Sequence, residues 1–240
     1  MDISGKVIII TGASMGIGRV AARKLAAAGA KLVLAARSLD KLTSLTAELS
    51  QQGAEALPLQ TDMRDQAAVR RMVERAFQQF GRVDILINNA GQAAAGNVAE
   101  VDPDDYRRII ELNIFGPLYA IQAVVPKMRL QGGGLIVNIS SMVSRMRIPG
   151  LAAYASTKSA LNMLSDTARV ELAADNIRVV SVYPRLTATD FGKNSLGNRA
   201  MRAGQRGPNP DAPAADSPDL VAEKILEAIQ KEPHDQYMDS

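Results

Sequence analysis

The sequence of 240 residues has no cysteine and a single histidine, His234. Without thiols there are no disulfides, no thiolate nucleophile and no cysteine-ligated metal. One histidine excludes a multi-histidine metal site, and any Ser-His-Asp triad would depend on that residue near the C-terminus. The formal net charge is only +3 and no long Lys/Arg block is present, so there is no nucleic-acid footprint. No uninterrupted apolar stretch reaches about 18 residues, the length that would span a bilayer. The first strand is expected near Lys6, which leaves no room for a secretory leader. The cytoplasm is therefore the expected location.

What is present is a chain that is 47% hydrophobic and 22% charged, enough to bury one sizeable α/β core over residues 1–240. Short apolar runs alternate with helical patterns. Strands are expected at Val7–Thr11, Lys31–Ala36, Ala54–Gln60, Ile85–Asn88, Leu135–Ile139 and Arg178–Val182, with a possible edge strand at Gln236–Met238. Helices are expected at Gly16–Ala28, from a Ser38 cap to about Gln52, at Asp65–Phe80, from Asp102 to about Leu130, at Leu151–Ala174 and at Asp219–Lys231. Such alternation predicts a parallel sheet covered by helices on both faces, with right-handed crossovers. Residues 190–218 are rich in Gly, Pro, Asn and Ala, and read as a flexible substrate lid.

"TGASMGIG", residues 11–18, joins the first strand to the first helix. A helix N-terminus offers unpaired N–H groups and the positive end of the dipole, and glycine lets a phosphate approach closely. Gly12 ends the strand, while Gly16 and Gly18 open the helix, so a phosphate cradle is predicted although the spacing is G-x-x-x-G-x-G. The fold expectation becomes a Rossmann-type doubly wound sheet of about seven mostly parallel strands in the order 3-2-1-4-5-6-7. At the end of the second strand, where a carboxylate would hold a ribose 2′-hydroxyl, stand Ala36, Arg37 and Ser38. A guanidinium there suits a 2′-phosphate, so NADP(H) is preferred over NAD(H).

Tyr154 and Lys158 are four residues apart on one helical face. Ser141 lies just past the fifth strand, thirteen residues before Tyr154. Ligands of open α/β sheets bind outside the carboxyl ends of the strands, so Ser141 and the Tyr154 helix are expected to meet beside the cofactor.

With these motifs in order, the chain resembles the short-chain dehydrogenase/reductase family over nearly its whole length. The matches are "TGASMGIG", Asp62 in "TDMRD", "NNAG" at 88–91, Asn113 in "NIFG", Ser141, Tyr154 and Lys158. The resemblance implies that Tyr154 is the general acid for carbonyl reduction or the base for alcohol oxidation. It implies that Lys158 lowers the tyrosine pKa and holds the nicotinamide ribose, that Ser141 orients the substrate oxygen, and that Asn113 anchors a relay water. It assigns cofactor contacts to Gly12, Ser14, Met15, Gly16, Ile17 and Gly18 in the glycine loop, and to Arg37 and Ser38. Further contacts fall to Asp62 and Met63 beside the adenine, and to Asn89, Ala90 and Gly91. After the sixth strand it adds Pro184, Thr187 and Thr189.

The resemblance implies Pro-Gly after the sixth strand, whereas this chain has Pro184-Arg185, which puts the local geometry in question and offers an arginine to the substrate pocket. Arg145, Arg147, Arg199, Arg202 and Arg206 are read mainly as solvated surface groups, with an anionic substrate as the alternative. Met142, Met146, Ala93, Leu186 and Phe191 are apolar candidates for the pocket. The activity implied is NADPH-dependent transfer of a hydride to a ketone or aldehyde, or the reverse from a secondary alcohol. An NAD-linked alcohol dehydrogenase and a non-catalytic nucleotide-binding regulator are the alternatives. Presence of Asn113, Ser141, Tyr154 and Lys158 together favours catalysis. Partners are a small carbonyl or alcohol and a second copy of the chain, as homodimer or homotetramer, paired through helices at about 102–130 and 151–174.

Overall fold

A computed structural model describes residues 1–197 and 214–239. Its first strand, β1 (Val7–Thr11), is buried along its whole length. Successive side chains of a strand point to opposite faces, so Ile8 and Ile10 enter one core and Ile9 another. A strand apolar on both faces belongs inside a sheet covered twice. β1 pairs in parallel with β2 (Lys31–Ala36) on one side and β4 (Ile85–Asn88) on the other.

The remaining strands of this sheet are β3 (Ala56–Gln60), β6 (Gly134–Ile139), β7 (Ile177–Tyr183) and β9 (Asp235–Tyr237). The order is β3-β2-β1-β4-β6-β7-β9, all parallel. This is the spatial order expected from the sequence. The numbering shifts because two short strands, β5 (Ala94–Ala95) and β8 (Leu196–Gly197), pair in a separate two-stranded sheet. Two residues give no periodicity, so neither was legible beforehand.

Helices α1 (Gly16–Ala27), α2 (Leu39–Gln51) and α7 (Pro218–Lys231) cover one face through Ala21, Leu25, Leu45, Ile225 and Ile229. Helices α3 (Gln66–Phe80), α5 (Gly116–Leu130) and α6 (Ala152–Glu171) cover the other, with Val69, Val73, Ala120 and Val124 in the second core and Ala168 packed against it. The Asp65 carboxylate caps α3 by accepting from Ala67 and Ala68, and Gly81 ends that helix in the left-handed region. Ser38 stands at the N-cap of α2 but its hydroxyl makes no capping bond, contrary to expectation.

The helical region from Asp102 is not uniform. α4 (Pro103–Ile110) passes through a π-helical turn, Glu111–Phe115, into α5. The whole helix, Pro103–Leu130, has 28 residues and a mean hydropathy of 1.4 over its most apolar 18-residue window, long and apolar enough to cross a membrane by those measures. The sequence shows no unbroken apolar run here because Glu111, Asn113 and Gln122 interrupt it, whereas an average over the window passes over them. Ala120, Val124 and Met128 on its inner side pack into the second core, which accounts for the composition.

At the other end of the sheet, buried Asp84 ties the start of β4 to β1. Its Oδ2 accepts from the Val7 amide at 2.9 Å, and Arg82 Nε donates to both carboxylate oxygens at 3.0 and 2.9 Å. Replacing Asp84 by Ala leaves the Val7 amide without its charged acceptor and is expected to cost about 2 kcal/mol of stability. Urea unfolding measures this, with Asp84→Asn, which keeps an acceptor, losing less.

Candidate active site

The site is assembled where the chain leaves β1 and β4. Gly12 has φ of 69°, and a Cβ there would stand 2.9 Å from both Ala90 Cα and Asn89 Nδ2. A Cβ on Gly18 would meet Asn89 Nδ2 and the Gly12 carbonyl at 2.5 Å. The contact is locked by hydrogen bonds. Asn89 Nδ2 donates to the Thr11 carbonyl at 2.9 Å, and the Thr11 hydroxyl accepts from the Asn89 and Ala90 amides, each at 3.0 Å. Met15 occupies the N-cap of α1 and offers no side-chain acceptor to the first amides of the helix.

Downstream of "NNAG" the backbone of Gln92 is gripped by Asn113. Asn113 Oδ1 accepts from the Gln92 amide at 3.0 Å, and its Nδ2 donates to the Gln92 carbonyl at 2.8 Å and to Thr157 Oγ1 at 3.0 Å. The π turn carries Asn113, which is fully buried. These bonds tie the Gln92 backbone to α6 through one side chain.

On α6, one turn after Tyr154, Lys158 is buried and donates to the Ile139 carbonyl at 2.7 Å. An ammonium has three donors, and the other two meet no protein acceptor among the described residues. Its Nζ lies 5.9 Å from the centre of the Tyr154 ring. Ser141 Oγ accepts from the Val143 amide at 3.3 Å, and Ser141 faces Tyr154 closely enough to oppose the rise in its pKa. Ser140 bonds Asn162 instead, which leaves Ser141 as the serine of the site.

The electrostatics correct one expectation. Burial is the largest influence on Tyr154 and pushes its phenol above the ordinary value near 10, with Ser141 pulling the other way. Burial also pushes the Lys158 ammonium down to about 8. Lys158 was expected to lower the tyrosine. Here desolvation dominates at both groups and disfavours both charged forms.

Arg37 is exposed at the carboxyl end of β2, where Gln60 Nε2 donates to its carbonyl at 3.0 Å. Asp62 is bound by Arg64, whose Nη2 donates to Oδ2 at 2.6 Å, and that contact chiefly holds its carboxyl below the usual range. Arg37 adds a smaller pull in the same direction. Arg64, two residues from Asp62, was overlooked in the sequence.

Beyond β7, Arg185 has ordinary negative φ, so no glycine is required at its position. Its guanidinium turns to Asp216 and not to Tyr154. Arg145 is likewise engaged elsewhere, with Tyr183 at 3.2 Å and Asp235 at 3.3 Å. Arg199, Arg202 and Arg206 lie outside the described residues, as does most of the expected lid. Its described start is ordered: Gly192–Asn194 forms a short 3₁₀ turn, and β8 pairs with β5. Phe191 packs on Tyr154 with ring centres 5.7 Å apart, and Gln92 Nε2 donates to the Asn194 carbonyl at 2.6 Å. Gln92, Thr157 and Asn194 were missed because only the fold brings them to the site.

The glycine cradle that a Cβ would close and the unspent donors of Lys158 fit a dinucleotide with its ribose hydroxyls. Sheet and site together place the chain among the doubly wound dinucleotide-binding folds. The family described as short chain dehydrogenase matches residues 6–200. The glycine betaine reductase ATRR of Emericella nidulans is 35% identical over 97% of this chain, which spans 18% of that protein's length. A short-chain dehydrogenase/reductase from Burkholderia phymatum, solved with NAD, superposes with a TM-score of 0.90 at 26% identity over 99% of this chain and 90% of that one. An alcohol dehydrogenase from the archaeon Thermococcus sibiricus, solved with 5-hydroxy-NADP, gives 0.83 at 30% identity over 98% and 96%. The chain belongs to the short-chain dehydrogenase/reductase family, whose members are oxidoreductases acting on small molecules with nicotinamide dinucleotides.

Lys158 gives a pH signature independent of turnover. Its proton is bound less tightly in the folded chain, near pH 8, than at the ordinary 10.5. Between those values the unfolded state holds more protons, so this group's contribution to stability rises with pH. Lys158→Met should therefore gain stability relative to the parent below pH 8, by about 3 kcal/mol at most, and the gain should fade toward pH 10.5. Thermal melts across this range test it.

Proposed function

We propose that the protein is an NADPH-dependent reductase of ketones or aldehydes, working in reverse on secondary alcohols. The observation that carries this is the convergence of Tyr154, Lys158 and Ser141 at the carboxyl edge of the sheet, next to the glycine cradle, with the phenol held protonated. When bound, NADPH would supply the hydride. The glycine loop would hold its phosphates at the start of α1, Lys158 its nicotinamide ribose, and Arg37 its 2′-phosphate. Thr187 and Thr189 would lie beside its nicotinamide end.

Tyr154 donates its proton to the substrate oxygen. A phenol kept above its ordinary pKa stays protonated at neutral pH and suits the acid role of reduction. Ser141 Oγ, fixed by the Val143 amide, orients the same oxygen. The Lys158 charge stabilises the phenolate left behind. Asn113 keeps Gln92 and α6 in register and so fixes where Tyr154 stands. Two protomers pair through α5 and α6, which flank a groove of about 440 Å³ lined by Pro117, Leu118, Ile121, Leu161 and Leu164.

NADPH oxidation followed by absorbance against a panel of aldehydes, ketones and dicarbonyls tests the reading. Tyr154→Phe should lower kcat by about 10²–10⁴-fold while NADPH still binds. The reduction rate should stay level through neutral pH and decline above about 8, as Lys158 loses its proton. Full activity in Tyr154→Phe would remove the assigned acid. Turnover with NADH equal to that with NADPH would favour the NAD-linked alternative, in keeping with the NAD complex of the Burkholderia protein.

The coenzyme assignment has its own test. Arg37→Asp replaces a 2′-phosphate partner by a group that repels it and accepts from a 2′-hydroxyl. It should weaken NADPH binding by roughly tenfold or more and improve NADH binding, as read by fluorescence titration.

A further inference from the structure

β7 ends at Tyr183, and the chain then turns through Pro184 and Arg185. The Arg185 side chain crosses to Asp216, with Nε donating to Oδ2 at 3.1 Å and Nη2 to Oδ1 at 2.9 Å. Asp216 immediately precedes Ser217, the cap of α7, and is only 7% exposed. Arg185 Nη1 also lies 3.8 Å from Asp239.

The backbones are joined beside this pair. Leu186 O accepts from the Asp216 amide at 2.7 Å, and the Ala188 amide donates to Asp216 O at 2.9 Å, around a parallel bridge between Thr187 and Asp216. The Thr187 hydroxyl donates back to the Arg185 carbonyl at 3.0 Å, and the Thr189 amide to the Thr187 carbonyl at 2.8 Å. The strap so formed lies against the glycine loop: a Cβ on Gly16 would stand 3.5 Å from Thr189 Cγ2.

We infer that the Arg185–Asp216 pair is a positioning element that holds the strap 185–189 on the glycine loop and thereby sets dinucleotide affinity. The inference rests on the function proposed above. Its physical basis is the buried carboxylate. Asp216 has no other cationic partner among the described residues. Removing the guanidinium leaves a desolvated charge, which is relieved by turning Asp216 out to water and breaking the two backbone rungs it carries. The fork matters as well as the charge, because two parallel N–H donors fix orientation and a lysine cannot. Arg185 in this place trades a flexible turn for a tethered one.

The test uses the full chain with two readouts. Hydrogen exchange of the dinucleotide-free protein follows the Ala188 and Asp216 amides. Fluorescence titration gives the Kd for NADPH and for NADH. Arg185→Gly and Asp216→Asn should each speed exchange at both amides and raise the Kd by about tenfold. The exchanged pair, Arg185→Asp with Asp216→Arg, should recover part of both losses. Arg185→Lys should move in the same direction and serves if the glycine variant does not fold. Single variants within about twofold of the parent in either readout, or an exchanged pair no better than the singles, would overturn the inference. A parent that binds neither dinucleotide overturns the functional reading and this inference with it, whereas a parent that binds normally and variants that do not move overturn the inference alone.

Discussion

The close approach of two backbones, at the carboxyl ends of β1 and β4, is the constraint on which the site depends. Gly12, Gly18 and Asn89 meet at distances that admit no Cβ on either glycine. Thr11 and Asn89 then exchange hydrogen bonds across the gap. This fixes the start of α1 and the path of "NNAG" in one step. Gln92 follows and is held by Asn113, which also holds Thr157 on α6, next to Lys158. A contact between two strand ends is thus carried, bond by bond, to the group proposed to move the proton.

The same compactness governs the charges. Lys158 is buried and Tyr154 half-buried, and each is pushed toward its neutral form. Asp84, Asp62 and Asp216 are each matched by an arginine, Arg82, Arg64 and Arg185. Lys158 is the exception, a buried cation whose one hydrogen bond among the described residues is to a backbone carbonyl, that of Ile139. An amine left short of acceptors in the interior is costly to the fold, and such costs are found where a ligand or reaction uses them.

Much of this was legible in the sequence, for physical reasons. Parallel strands such as "VIIIT" read as continuous apolar runs because both faces are buried, and β1, β2 and β4 were located to the residue. The glycine loop was legible because backbone approach demands glycine, and Tyr154 and Lys158 because Ser141 and the other family motifs accompany a spacing that alone says little. Other features were hidden. The π turn leaves no mark in composition, and β5 and β8 are too short for any period. Arg185 read as a lone departure from a pattern, because its partner is more than thirty positions away and only the fold joins them. The direction of the tyrosine's shift was not legible, because sequence shows the lysine nearby but not the desolvation that dominates at both groups.

The π turn has a consequence for how the chain tolerates changes of length. Five residues, Glu111–Phe115, are spent where a regular helix would use fewer. The surplus is what lets Asn113 face Gln92 while α5 keeps its apolar side on the sheet. Loss of a single residue there would let α4 run into α5 as regular helix, and because the wider turn already absorbs the extra residue, the two flanking helices would keep nearly their present phase. The bulge that presents Asn113 would go with it, so the Gln92 backbone would lose its grip while the core side of α5 stayed in place. A one-codon deletion on this helix would loosen the site and spare the fold.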